Sequence, residues 1–341
     1  MQIKLTKPSR LLNKRGELKQ KGYATSPILA YRRKDVAIKL RLKEWDYYLI
    51  HNKQIVFALT VGKSMGFLLL SATVINLKEK TQKTKTVIRF APCLKMPESS
   101  KTGDICYKDS KVRVTISHQE TQRHISLFMK NFDLGSSLDA CFDLSDEPRD
   151  SMVIATPFKE NPTYFYYNQK IIGLTADGTV TLKDANYVFD SNHSFGILDW
   201  GRGVWPYKTT WYWSAACGLI CNHSFGFNFG YGFGDTSVAT ENMLFYKGLA
   251  NKLEDVTIHI PRNIDNKYEY MKTWHITSSD NRVDLLFQPI IDRSVCINLL
   301  LFSTNQHQVF GKFTGCVILD NGTRIYIKDF FGFAEKVENK W

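Results

Sequence analysis

The residues from Gln308 to Phe331 read QVFGKFTGCVILDNGTRIYIKDFF, and this stretch decides the fold. Val309, Phe313, Val317 and Leu319 recur at even spacing before the turn, and Ile325 and Ile327 alternate with Arg324 and Lys328 after it. A period of two is the signature of strands. Between the runs sits Asn321-Gly322, a pair suited to hairpin turns because their central positions favour positive φ. The same period recurs over residues 45–50, 54–61, 65–77, 111–117, 168–174, 180–182, 211–217, 225–231, 256–260 and 283–289. Asp177-Gly178 is read as a second hairpin turn, between the runs 168–174 and 180–182. Residues 78–85 read as a basic hairpin or loop, and one amphipathic helix is expected within the first twenty residues. The chain is predicted to be all-β, with roughly twenty strands and few helices.

At 341 residues the chain suits two domains. The polar stretch Asp143-Leu144-Ser145-Asp146-Glu147-Pro148-Arg149, or the loop after it through Pro162, marks the expected boundary. Residues 1–150 and 151–341 are then two β-barrels or sandwiches. Apolar residues at 43% and charged residues at 23% exclude wholesale disorder.

The net charge of +12 is uneven, with residues 1–100 carrying +15 and the remainder −3. Such a basic half can meet anionic surfaces or simply face solvent, and no nucleic-acid recognition module accompanies it. The first 25 residues lack the apolar core of a secretory signal, and the run Phe67-Leu68-Leu69-Leu70 is far too short to span a bilayer. Seven cysteines at irregular spacing do not form a disulfide framework. A cytoplasmic protein is therefore expected, and the glycosylation-type triplets at Asn192, Asn222 and Asn321 are read as accidental.

The segment 195–246 carries the chemistry. It holds Trp200, Trp205, Trp211 and Trp213, together with 8 of the 21 glycines. Indoles can wall a pocket for an apolar or ring-bearing ligand, or they can form the core of a β-sandwich. Asp199 and Glu241 are the candidate proton donors, since a carboxyl walled by indoles has its pKa raised by desolvation. Arg202, three residues from Asp199, offers the opposite outcome, a structural ion pair. Asn228, Asp235 and Asn242 supply further polar contacts to a ligand, and His307 is a third catalytic candidate at the start of a strand.

Cys217-x-x-x-Cys221-x-His223 lacks paired zinc spacing, so no metal is expected. Gly62-Lys63-Ser64-Met65-Gly66 fits a nucleophile-elbow pattern, but a strand follows where that motif needs a helix, so it reads as a hairpin turn. The glycine run 226–234 has no dinucleotide spacing, and no cofactor is expected.

Asp199-Trp200-Gly201-Arg202-Gly203-Val204-Trp205-Pro206-Tyr207 with Trp211-Tyr212-Trp213 resembles the domain of unknown function 2804 family. So do Gly22-Tyr23-Ala24, Lys43-Glu44-Trp45-Asp46-Tyr47-Tyr48, Thr240-Glu241-Asn242 and Phe310-Gly311-Lys312-Phe313-Thr314-Gly315, and the likeness runs from about Leu11 to Trp341. More remotely, the architecture resembles the two-lipocalin-like-domain group of carotenoid hydratases, tocopherol cyclase and Diels–Alder-type cyclases. That resemblance implies two lipocalin-like domains, a cavity for a lipophilic substrate and, by the hydratases, a carboxylic acid that protonates a double bond.

Four functions stay open at this point. They are acid-catalysed hydratase or cyclase chemistry on a lipophilic partner, a non-catalytic lipid or polyene carrier, carbohydrate processing on tryptophan platforms, and nucleic-acid or membrane-surface binding through the basic first hundred residues, Lys78, Lys80, Lys83 and Lys85 among them.

Overall fold

The computed structural model describes residues 2–90, 94–119, 121–145, 147–299 and 302–340. Short N-terminal strands β1 (Ser9–Arg10), β2 (Gly22–Ala24) and β3 (Leu29–Ala30) precede β4 (Lys43–His51), β5 (Ile55–Ser64), β6 (Phe67–Asn76) and β7 (Thr81–Phe90). Next come β8 (Ile105–Lys108), β9 (Val112–Gln119), β10 (Gln122–Asp133), β11 (Ser136–Ser145), β12 (Met152–Phe158), β13 (Asn161–Leu182), β14 (Ala185–Phe189) and β15 (Phe195–Val204). The rest are β16 (Lys208–Ile220), β17 (His223–Tyr231), β18 (Met243–Tyr246), β19 (Leu249–Lys252), β20 (Val256–His259), β21 (Trp274–Ser278), β22 (Val283–Leu299), β23 (Phe302–Ile318) and β24 (Arg324–Lys340).

Apart from the short parallel pair β1–β3, they form two large curled sheets, as the all-β, two-barrel expectation requires. The first runs β7-β6-β5-β4-β15-β13-β11-β10-β9-β8, with β12, β14 and β2 added through β13. The second runs β19-β18-β17-β16-β24-β23-β22-β21-β20. Each sheet buries one face in a core of its own, around Phe57, Phe142 and Trp200 in the first and Phe227, Phe287 and Trp274 in the second. Their other faces share a third core that includes Tyr47, Tyr166, Trp213 and Phe333. A sheet covered on both faces reads as near-continuous apolar sequence, and β4 and β15 are buried almost throughout.

Asn321-Gly322 lies in the connection between β23 and β24, with Gly322 at φ 83°. The 62–66 pentad is a tight hairpin turn, with Met65 at φ 47° and Gly66 at φ 77° between β5 and β6. Asp177-Gly178 is not a turn, because β13 runs unbroken through it. Gly178 is needed there because a Cβ would lie 2.1 Å from the Cys141 carbonyl oxygen, and the chain reverses instead after Leu182, with Lys183 at φ 57°.

Among the described residues of the first twenty, no helix forms. Gly16, at φ 81°, breaks that segment, and Leu11, Leu12 and Leu18 are buried by a strap against the first sheet. The sheets change over between Val204 and Lys208, and β12 to β15 complete the first sheet beyond the polar stretch at residue 150. Asp146 of that stretch lies outside the described residues.

The basic hairpin around residues 78–85 works as a latch. Lys83 pairs with Asp133 at 3.1 Å and Lys183 with the same carboxylate at 2.8 Å, while Lys85 donates to the Lys130 carbonyl at 3.3 Å. These contacts tie β7 to the β10–β11 hairpin across the open side of the first sheet. Among the described residues no helix is long and apolar enough to cross a membrane.

Candidate functional site

Strand register lines up two rows of side chains that face each other. Across the first sheet, Thr60, Tyr47, Asp199, Lys170 and Met152 are successive neighbours on β5, β4, β15, β13 and β12. Across the second, Arg293, Gln308, Glu335, Trp213 and Gly230 follow on β22, β23, β24, β16 and β17. The rows meet in the shared core. The Tyr47 hydroxyl donates to Gln308 Oε1 at 3.4 Å, and Lys170 Nζ lies 4.0 Å from the centre of a Trp213 ring.

Lys170 is buried, so its charge needs partners. Asp199 Oδ2 stands 3.2 Å from its ammonium, and Glu241 Oε2 reaches it at 3.6 Å from the loop between β17 and β18. Burial pulls the ammonium down, but the two carboxylates outweigh it and hold Lys170 above its ordinary pKa. Asn168 Nδ2 donates to the far oxygen of Asp199 at 2.6 Å. Burial and these same carboxylates push the Tyr166 phenol, hydrogen-bonded to Glu241, well above its usual range.

Glu335 sits opposite, fully buried. Trp211 Nε1 donates to one carboxyl oxygen and Gln308 Nε2 to the other, each at 3.0 Å. Desolvation dominates over these donors and over the Arg293 and Lys170 charges, and pushes the carboxyl up to about 7. This is a buried acid that changes charge near neutral pH, among indoles.

Toward the outer end of the interface lie more rings. Trp45 stacks on Tyr166 at 6.3 Å and meets Trp205 edge-on at 5.4 Å. Glycines make room for this: a Cβ on Gly201 would lie 1.9 Å from Trp45 Cζ2. Gly201→Ala should therefore displace that indole and destabilise the fold by about 1–3 kcal/mol, read as a lower denaturation midpoint with a changed near-UV circular dichroism signal. A midpoint and aromatic spectrum like wild type would refute the close packing of Trp45 on β15.

The candidates from sequence divide by face. Asp199, Glu241, Trp211, Trp213 and Trp205 lie at the shared interface, and Glu335, Lys170 and Gln308 join them without having been singled out. Residues 199 and 202 are three apart on one strand and so point to opposite faces. Arg202 pairs instead with Asp46 at 3.0 Å and lies over Trp200, 4.1 Å from its ring, in the first sheet's own core. The Asp199–Arg202 pair is thereby corrected.

Asn228 accepts from Trp213 Nε1 at 2.7 Å and donates to the Glu241 carbonyl at 2.9 Å, while Asn242 accepts from the Gly230 amide at 2.8 Å. Both asparagines anchor the loop that carries Glu241. Asp235 is bound to the Ser237 hydroxyl at 2.6 Å on the surface of that loop. His307 is next to Gln308 and so on the opposite face of β23, where it bonds Asp292 at 2.7 Å and stacks on Tyr270. Cys217 is buried 3.6 Å from His51 Nε2, whereas Cys221 is exposed in the turn after β16.

Parity could have revealed Glu335, since it shares its strand face with Phe333 and Val337 in Phe333-Ala334-Glu335-Lys336-Val337. A carboxyl in phase with an apolar face is a buried carboxyl.

The family described as Domain of unknown function (DUF2804) matches residues 2–341. No curated protein sequence matches the chain. Kievitone hydratase from Nectria haematococca is similar in structure at 9% identity and a TM-score of 0.48, over 98% of each chain. An AttH-like protein from Nitrosomonas europaea is 10% identical at 0.48, over 87% of this chain and 92% of its own. CghA bound to Sch210972 is 9% identical at 0.49, over 88% of each.

Proposed function

The chain belongs to the domain of unknown function 2804 family, and on the chemistry of its facing rows we propose that it receives an apolar, ring-bearing small molecule between its two sheets and protonates it with Glu335. The observation that carries this reading is the Glu335 carboxyl itself, buried against Trp211 and raised to about 7. An acid with a pKa near the working pH is the efficient proton donor. Asp199 and Glu241 are the ion-pair partners of the Lys170 ammonium, whereas Glu335 has no cation within ion-pair distance among the described residues.

In a hydration, the Glu335 proton adds to one carbon of a double bond and leaves a cation on the other. Water then adds to the cation and returns a proton to the Glu335 carboxylate. The indole faces of Trp211 and Trp213 favour the cationic stage. In a cyclisation an internal double bond attacks the cation instead of water, and the new cation loses a proton from an adjacent carbon to the Glu335 carboxylate, which leaves a double bond.

One observation favours the carrier alternative: both oxygens of Glu335 already accept hydrogen bonds, so the group can serve as a fixed polar anchor for a ligand that is only held. Glycan binding is less well supported, because the faces of the indoles are taken up by other rings, as in Trp213–Phe333 at 4.7 Å and Trp45–Tyr166 at 6.3 Å.

Mass spectrometry of an organic extract of the freshly purified protein, with Trp211→Ala as control, tests the site. The expected result is a lipophilic ring-bearing compound present with the wild type and missing from the variant. A blank extract together with no binding of apolar ring probes would sink the reading.

A further inference from the structure

Phe233 is the one aromatic side chain at this interface that comes from a loop between two glycines. Gly232 and Gly234 have φ values of 86° and 76°, and a Cβ on either would strike the Thr210 carbonyl at 2.6 Å or Thr156 Oγ1 at 2.3 Å. Such positions are restricted to glycine, so the loop is built to bring this one ring inward. The ring is packed by Tyr166 at 4.7 Å, Trp205 at 5.1 Å, Phe158 at 5.2 Å and Trp211 at 5.5 Å, all near perpendicular. Two of these neighbours, Trp211 and Tyr166, hold the carboxyls of Glu335 and Glu241. Outside the ring lies a cleft of about 320 Å³ bordered by Phe158, Pro206, Thr210, Gly232 and Gly234. Phe233 lies between the two glycines that border this cleft, Gly232 and Gly234.

Two buried oxygens on the first-sheet side of this ring lack a hydrogen-bond partner among the described residues, Thr156 Oγ1 and Asn168 Oδ1. Thr156 is the register partner of Tyr166, and Asn168 follows Tyr166 on the same face. Buried polar atoms without partners are uncommon in native proteins and mark a place for a missing group. The Asn168 carbonyl can only accept, whereas the Thr156 hydroxyl can accept or donate, so a donor is the one kind of group that suits both.

Resting on the ligand reading above, we propose that the space filled by Phe233 is the ring subsite of the ligand, and that the ligand is a planar ring carrying a hydroxyl, which displaces Phe233 and donates to Asn168 or Thr156. The perpendicular rings that grip the phenyl group are the walls for the incoming ring. A resident side chain lowers apparent affinity by the fraction of time it holds the site.

The test is fluorescence titration with 2-naphthol, and with naphthalene as its hydroxyl-free counterpart. Phe233→Ala should bind 2-naphthol about tenfold more tightly than wild type, as expected if the ring fills the subsite about nine-tenths of the time. Naphthalene should bind that variant about fivefold more weakly than 2-naphthol, the worth of one neutral hydrogen bond. Phe233→Leu keeps most of the volume and should show a smaller gain, which carries the test if the alanine variant does not fold. Equal or weaker binding by both variants would make Phe233 a fixed wall and overturn the subsite, while leaving the ligand site standing. No preference for 2-naphthol would overturn the hydroxyl. If neither probe binds any form, and the extract is also blank, the ligand reading falls and the subsite with it.

Discussion

Replacing Lys170 by Met should cost about 3–5 kcal/mol of stability, the usual consequence of removing one partner from a buried ion pair. The ammonium is the shared counter-charge for Asp199 at 3.2 Å and Glu241 at 3.6 Å, and all three groups are buried. Without it, two carboxylates face each other in a core, with Asn168 and Tyr166 as their donors among the described residues. Urea denaturation at pH 7 measures the loss, and the thermal midpoint should fall by roughly 5 °C. The triple variant Lys170→Met, Asp199→Asn, Glu241→Gln should recover most of it, because the penalty is unpaired charge rather than lost packing. A single variant within 1 kcal/mol of wild type would mean the three groups are solvated, and the buried cluster would have to be abandoned.

The fold was legible wherever one residue in two was apolar and a turn was short. The β5–β6 and β23–β24 hairpins come directly from the Met65-Gly66 and Asn321-Gly322 turns between alternating runs. The sheet change-over was not legible, because Asp143 and Ser145 flank a buried leucine at the end of a strand and the stretch reads like a linker. Asp143 is exposed while Leu144 beside it is buried. Gly178 misled for a similar reason: a glycine placed for close approach to the Cys141 carbonyl looks the same in sequence as one placed for a turn.

At the site, the tryptophans of segment 195–246 were visible as a cluster, but their faces were not all separated. Trp200 serves the first sheet's core, whereas Trp205, Trp211 and Trp213 serve the interface. Lys170 was invisible because a lysine in a strand reads as a solvent-facing position, and only the register of β13 against β15 puts it beside Asp199. Glu335 lies more than ninety residues beyond Glu241, and its role depends on sheet pairing that sequence distance hides.

Glu335→Gln should remove a specific dependence of stability on pH. The carboxyl titrates near 7 in the folded protein and near 4.3 as an ordinary glutamate. Its folded-state value is raised, so between those pH values the folded chain binds a proton that the unfolded chain has released. Stability therefore falls as pH rises through this window. A shift of this size corresponds to about 4 kcal/mol, complete once pH exceeds the folded value.

Glutamine keeps the shape and cannot ionise, so the difference between wild type and variant should grow from under about 1 kcal/mol at pH 4.5 to about 4 kcal/mol in favour of the variant at pH 8. Subtracting the two urea midpoint curves isolates this group from every other titration. The same variant separates chemistry from carriage. If Glu335 is the proton donor, the extracted compound should still be retained by Glu335→Gln while its conversion is lost, and the wild-type rate should decline above pH 7 as the acid ionises. If the compound is held and never converted by wild type, the pH-dependent stability should still appear, and Glu335 is then an anchor in a carrier. A flat difference curve would show that the carboxyl is not desolvated, and both roles would go with it.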